Sequence, residues 1–380
     1  MATLLLMIIY MAFISLGLPD AVLGVAWPQM RIDFGIPLDS LGLISIAVTG
    51  FTILSSLLSG YLIKTLGTHK VTYISILLTA LALIGISFAP TFLWIILLSI
   101  PLAFGAGSID TALNNYVAVY YESHHMNWLH AFWGIGATLG PIVISTFFLL
   151  NYSWRNGYLV LGIAQTLILL LVFFSAKLWR KNDQPSEETI SNEDVTYKEV
   201  LKTKGVKLAM LVFVVYCAIE FGIANWGASY LVDIRTISKG TAGTLIGTYF
   251  AGITIGRIIS GFVSFKLSNK KLIIIGISIL IVVSTTLLFP IPLYMLYPVF
   301  FIQGLGLAPI FPSMIHETPR RFTVRKSQHV IGLQMASAYI GLALIPALFG
   351  VLARYTSLGL YPYYILGLGV TIFFINQGLN

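Results

Sequence analysis

The sequence predicts an all-α membrane protein of twelve transmembrane helices, arranged as two six-helix bundles with both termini cytoplasmic. Three observations carry this: the composition, the spacing of apolar runs, and the placement of basic residues. Apolar residues make up 57% of the 380-residue chain and charged residues 9%, with a mean hydropathy of +0.90. A soluble domain carries about 25% charged residues. The formal charge of +8 would suit a nucleic acid, but the charges gather in short loops between apolar runs, so no nucleic-acid partner is expected. The single cysteine, Cys217, lies in an apolar run and leaves no internal disulfide or cysteine metal cluster. Met1 to Trp27 is apolar with no basic leading segment, so it reads as a first span and not as a cleavable signal.

Each apolar run is near the ~20 residues that cross ~30 Å of hydrocarbon. The first span is expected at 4–30 and the second at 38–64, followed by a loop with Lys64 and Lys70. The third and fourth are expected at 70–89 and 92–120. A loop with His124 and His125 precedes the fifth at 127–151, and the sixth lies at 155–178. One long polar stretch then runs from Arg180 to Lys204, with room for a short amphipathic helix. It divides the chain into an N-terminal bundle (1–179), a cytoplasmic linker (180–204) and a C-terminal bundle (205–380). The remaining spans are expected at 206–231, 240–265, 271–289, 292–315, 328–352 and 357–377.

Orientation follows from charge. With the N-terminus inside, sixteen of the 22 basic residues fall in inner loops and five (Arg31, Arg155, Arg235, Lys239, Arg354) in outer ones. Arg257 lies within a span. Basic loops stay cytoplasmic, which puts both termini and the linker inside.

The two halves resemble each other. GYLIKTLGTHK at 60–70 matches GFVSFKLSNKK at 261–271 in register, and GAGSID from Gly105 parallels GLGLAP from Gly304. A six-plus-six parallel repeat implies two bundles around a central cavity. The 60–70 and 261–271 segments also resemble the loop signature of the major facilitator superfamily, with Gly60, Leu62, Gly67 and Lys70 fitting and Lys64 standing where the signature has an acid. Gly256-Arg257 is similar to a further superfamily feature. Within that superfamily, LPDAVLGVAWPQ (18–29), SIDTALNNY (108–116), HAFWGIGATLGP (130–141), GIANWGASYL (222–231) and GLGLAPIFP (304–312) resemble the fucose–glucose branch. Its best-known members are fucose–proton symporters. By position, Asp20 and Asp110 match that branch's two acids, which implies a proton-coupling role for both.

The residues themselves support candidates. A charge at mid-membrane costs roughly 3 kcal/mol or more, so it is usually kept for a task. Desolvation favours a carboxylate's neutral form, the property a proton carrier needs, and Asp20 and Asp110 are both placed at depth. Asn114 shares a helix face with Asp110, where its amide can hold either that carboxylate or a substrate hydroxyl, while Asn115 turns away. Glu220, Asn225, Trp226 and Gln303, with Gln334, supply the carboxylate, amides and aromatic face that a sugar requires. Trp27 either caps the outer mouth or belongs to an interfacial belt. His130 and Trp133 read as gating or packing residues, His130 with proton shuttling as its alternative. Arg257 pairs with a carboxylate, holds a gate or snorkels to the surface. The glycines of the fifth span suit close helix packing.

The expected function is therefore a secondary transporter of a small neutral sugar, such as fucose or glucose, by proton symport with alternating access. A facilitative or sodium-coupled carrier and a drug or metabolite exporter are the alternatives. A sensor or intramembrane enzyme finds no support: there is no phosphate-binding loop and no zinc-protease motif. No cofactor and no metal are expected. The expected setting is a monomer in a bacterial cytoplasmic membrane.

Overall fold

The computed structural model describes residues 2–121, 123–179 and 197–379. Among them are twelve helical segments long and apolar enough to cross a membrane. Spans one to six are Thr3–Asp33, Ser40–Leu66, Thr68–Ser87, Phe92–Val117, Trp128–Leu149 and Trp154–Phe174. Spans seven to twelve are Val206–Asp233, Lys239–Val263, Asn269–Thr286, Leu293–Phe322, His329–Tyr355 and Leu358–Leu379. Spans one and seven finish at the same end of the bundle, called distal below; the termini lie at the other.

The starts fall within two residues of expectation, and the ends nearly as close, except in span ten, which continues to Phe322. Its last turns are amphipathic and not apolar, so hydropathy stops short of them. Glu317 and Thr318 are buried there, and Phe322 packs with Val200, Val206, Ala209 and Val330. Residues 180–196 of the expected linker lie outside the described residues. Its described end is the helix Tyr197–Lys202, whose Val200 is fully buried and whose Glu199 pairs with Lys326 at 3.2 Å. His125, expected in a loop, sits instead in the first turns of the helix Ser123–Leu149, its Nδ1 2.8 Å from the Tyr10 hydroxyl.

Two spans are broken. Span one consists of helices Ala2–Gly17 and Val22–Asp33. Proline lacks an N–H and clashes with the carbonyl four residues before it. Pro19 therefore leaves the Ser15 carbonyl without its helical donor, and buried Gln165 of span six donates to it instead, at 2.6 Å. Through the break the backbone closes in shorter turns, from Asp20 N–H to Gly17 and from Val22 N–H to Pro19. Span ten breaks likewise at Ala308–Pro309. The matched loops at 60–70 and 261–271 differ locally. Gly67 has φ +82°, open to glycine at little cost, whereas its counterpart Ser268 has φ −67°.

Spans one, two and five meet spans seven, eleven and eight across the midline. The distal half of this interface is tight. A Cβ on Gly24 would lie 2.0 Å from the Ala224 carbonyl oxygen, so the two backbones touch. Gly42 lies against Ala347, and Ser145 donates to the Gly240 carbonyl. Around this seal run ion pairs between Arg31 and Asp233 (2.5 Å) and between Arg354 and Asp39 (3.2 Å), and Lys239 donates to Gln29. Exposed pairs of this kind contribute roughly 0–1 kcal/mol each, so packing carries the seal. Gly24→Val is accordingly expected to destabilise the detergent-solubilised protein by the ~1–3 kcal/mol typical of overpacking. Arg354→Ala should shift it by less than ~1 kcal/mol. Thermal unfolding of the two variants checks the order, and a larger effect from Arg354→Ala would refute it.

Candidate functional site

The halves enclose a cavity of about 380 Å³ at mid-height, within the range of ligand pockets. The broken first span delivers Asp20 to it. Because the helix is interrupted there, the Asp20 side chain meets the cavity and not a neighbouring turn. The Trp133 indole N–H of span five donates to Asp20 Oδ2 at 2.6 Å. Arg257 of span eight lies over the Trp133 ring, its Cζ 4.9 Å from the centroid, and its Nη2 is 3.8 Å from Glu220 Oε1 on span seven. Asp110 of span four faces the same space, its Oδ1 accepting from the Asn114 side-chain amide at 2.8 Å. Asn225, one helical step past Glu220's turn, reaches across the halves toward Ser45 Oγ at 3.4 Å. His130 lines the wall edge-on to Phe13.

The lining thus holds three carboxylates against one guanidinium, and that guanidinium is already beside Glu220. Charges in hydrocarbon are expensive. Here each faces the cavity or a hydrogen-bond donor instead of lipid.

Of the residues singled out from sequence, Asp20, Asp110, His130, Trp133, Glu220, Asn225 and Arg257 come together at this cavity. Asn114 is engaged by Asp110, donating to both its carbonyl and its carboxylate. The other expected sugar contacts lie elsewhere. Trp226 is fully buried against Gly350 and Phe349, its N–H donating to the Pro346 carbonyl at 2.8 Å. Gln303 donates to Ser284 between spans nine and ten, and Gln334 accepts from Thr318 between spans ten and eleven. Trp27 is buried in the distal seal, its indole bonded to the Leu38 carbonyl, so it occupies neither a membrane belt nor an open mouth. Gly60 faces open space, Gly67 ends its helix at positive φ, and Lys70 is exposed, all away from the cavity.

Sequence reasoning missed the hydroxyl wall of span two. Ser45, Thr49 and Thr52 line the cavity at i, i+4 and i+7, one helix face. Thr49 Oγ1 is buried without a hydrogen-bond partner among the described residues. That period within an apolar run was the available signal. Ser99, Tyr339 and Cys217 also line the cavity. A second pocket of about 620 Å³ lies at the distal rim, where Asp33 binds Gln29 and Trp154 and Lys239 binds Gln29. Gln29, Asp33 and Lys239 in its lining are thus bonded in one chain. No group of three His, Cys, Asp or Glu side chains among the described residues is placed to hold a metal.

Comparison with known proteins accords with this geometry. The profile of the Major Facilitator Superfamily matches residues 6–235 and 208–377. The glucose/mannose transporter of Bacillus subtilis is 27% identical, over 90% of this chain and 86% of its own length. The cis,cis-muconate transport protein of Acinetobacter baylyi is 23% identical over 92% and 87%. The sialic acid transporter of Escherichia coli is 28% identical over 60% and 54%. Among solved structures, a nucleoside transporter superposes with a TM-score of 0.78 at 15% identity, covering 99% of both chains. A bacterial homologue of the human lysosomal transporter Spinster, inward-facing and unoccupied, gives 0.74 at 13% identity, over 98% of this chain and 94% of its own.

Neighbouring residues separate packing from ligand contact. Trp226→Phe removes one buried hydrogen bond and should cost about 1 kcal/mol of stability while leaving ligand affinity unchanged. Asn225→Ala should weaken ligand binding about tenfold, the ~1.4 kcal/mol of one lost hydrogen bond, and leave the melting temperature nearly as it was. Paired melting and binding measurements distinguish them; affinity that follows Trp226 and ignores Asn225 would overturn the placement.

Proposed function

The chain belongs to the Major Facilitator Superfamily and is a multi-pass membrane transporter, not an enzyme; from that premise we propose that it carries a neutral hexose by proton-coupled symport. The charge balance of the cavity carries the reading. An anionic solute needs a free cation, and the lining's one guanidinium is beside Glu220. A neutral polyol needs hydroxyls, amides and carboxylate acceptors, which Ser45, Thr49, Asn225 and Glu220 offer. This favours the chemistry named for the glucose/mannose relative over that of the muconate and sialic acid relatives, whose named solutes are anions.

Asp20 and Asp110 carry the proton in this reading. Both face the cavity and neither lies within ion-pair distance of a cation among the described residues. Proton binding at either neutralises a charge that is costly at this depth, which gives the proton a reason to travel with the substrate. Asp110 is held by Asn114 and Asp20 by Trp133, so each has a fixed donor in place of a counter-ion. Both termini are taken as cytoplasmic, on the basic loops. The distal seal is then the outer gate, and the binding step is exposed by rocking the halves about it. One chain holds a whole cavity, so a monomer suffices.

The test is transport by the purified protein in proteoliposomes. Adding glucose or mannose outside should alkalinise the external medium, whereas muconate and sialic acid should not. Asp110→Asn should abolish proton movement and keep sugar exchange within about threefold, since it removes the titrating group and little of the shape. Proton-coupled uptake that persists in both Asp20→Asn and Asp110→Asn sinks the proton assignment. Uptake of the carboxylated solutes alone sinks the hexose assignment.

A further inference from the structure

Four side chains form an unbroken line of contacts across the cavity. Asp20 accepts from the Trp133 indole at 2.6 Å, Arg257 lies over the Trp133 ring at 4.9 Å, and Glu220 stands 3.8 Å from Arg257. The first two belong to spans one and five, the last two to spans eight and seven. The midline of the molecule therefore runs between the indole ring and the guanidinium. Beside them the spans are in close contact: a Cβ on Gly134 would lie 2.4 Å from Thr254 Oγ1.

We infer that Trp133 and Arg257 are positioning residues that transmit the protonation state of Asp20 to Glu220, so that a proton bound in the first half alters the sugar site in the second. The inference rests on the proton-coupled sugar reading above. The indole N–H is a donor only, so its bond to Asp20 survives in both protonation states but not at equal strength. A hydrogen bond to an ionised carboxylate is roughly twice as strong as a neutral one. With Asp20 ionised, negative charge lies behind the indole and electron density is pushed onto its ring. Both effects hold the guanidinium on the ring face, a contact that strengthens when withdrawn from water. When Asp20 takes up a proton that hold slackens.

What remains for Arg257 is Glu220, with Tyr216 of span seven beside the pair. At 3.8 Å the pair is longer than the ~2.7–2.9 Å of a charge-assisted hydrogen bond, so the guanidinium has room to close. Glu220 and Asn225 line the cavity together. Arg257 closing on Glu220 Oε1 fixes the carboxylate in place and leaves Oε2 to accept from a substrate hydroxyl, so a proton on Asp20 strengthens the sugar site. Linkage then runs both ways, with sugar at Glu220 favouring the proton on Asp20. The other titratable or charged groups lining this space are Asp110 on span four, His130 on span five, Tyr158 on span six, Cys217 on span seven and Tyr339 on span eleven, and Tyr216 of span seven and Tyr249 of span eight face Glu220 and Arg257 from behind it.

The test measures D-glucose and D-mannose binding to the purified full-length protein by calorimetry, across mildly acidic to mildly alkaline pH. Wild-type affinity should tighten at least ~5-fold toward acidic pH, the lower range of typical site coupling. Trp133→Phe keeps a ring under Arg257 and loses the N–H. Its pH dependence should fall below ~2-fold, because ionised Asp20 no longer holds Arg257 through the indole. Asp20→Asn should bind tightly at every pH. Trp179→Phe, which loses an indole donor that serves Ser175 outside the cavity, should keep the full wild-type dependence. A Trp133→Phe protein that keeps the wild-type dependence overturns the relay. So does a dependence that disappears in His130→Gln and persists in Asp20→Asn. Failure of the unmodified protein to bind either hexose at any pH overturns the sugar reading itself, and the relay with it.

Discussion

A carboxylate in the middle of a bilayer needs water, a donor or a cation, and the centre of this molecule is arranged around meeting that need. Asp20 has an indole donor, Asp110 has an amide, and Glu220 has a guanidinium at longer range. All three also face one cavity, which keeps them out of lipid. The backbone obeys the same rule. Pro19 breaks span one to place Asp20, and the carbonyl it orphans on Ser15 is satisfied by buried Gln165. Without that amide the break would leave an unpaired acceptor in a low-dielectric core, a cost of several kcal/mol. The position of the acid therefore depends on a glutamine in span six that never touches the cavity.

The halves are held together by two kinds of force with different consequences. Backbone contact at Gly24 and Gly42 is short-ranged and vanishes with a small separation. The ion pairs of Arg31 with Asp233 and of Arg354 with Asp39 are weak but act over a longer distance, and water can replace them. A seal built this way excludes water when closed and opens without breaking any strongly stabilising charge pair. Trp133 and Arg257 are a third kind of contact, at mid-height, and the indole is bonded in turn to the Asp20 carboxylate.

The spans were legible because hydropathy over ~20 residues is what a bilayer selects. Asp20, Asp110, Glu220 and Arg257 were legible because charge is costly at that depth. Trp226, Gln303 and Gln334 show where this reasoning stops. A polar or aromatic residue inside a span must be satisfied, but its neighbours in sequence do not reveal whether the partner is a substrate, a carbonyl or another helix. Trp226 found the Pro346 carbonyl and Gln303 found Ser284. Ser45, Thr49 and Thr52 failed the opposite way. Hydroxyls are cheap in a helix, since they bond back to the preceding turn as Ser45 does to Leu41, so nothing in composition marks them. Only their shared face does.

These placements bear on how the work is divided between the halves. From the residues alone, proton handling falls to the first half and sugar recognition to the second, because most of the amides lie there. With Trp226, Gln303 and Gln334 committed to packing, the polar lining of the second half reduces to Glu220, Asn225, Arg257 and Tyr339. The first half contributes both aspartates, His130, Trp133 and the span-two hydroxyls. A substrate in this cavity would then touch hydroxyls beside the acids proposed to take the proton. Proximity of that kind removes the need for coupling to travel far within the first half. Coupling across the midline is where distance remains, and there the proposed route runs through one indole and one guanidinium, beside the Asn225–Ser45 contact.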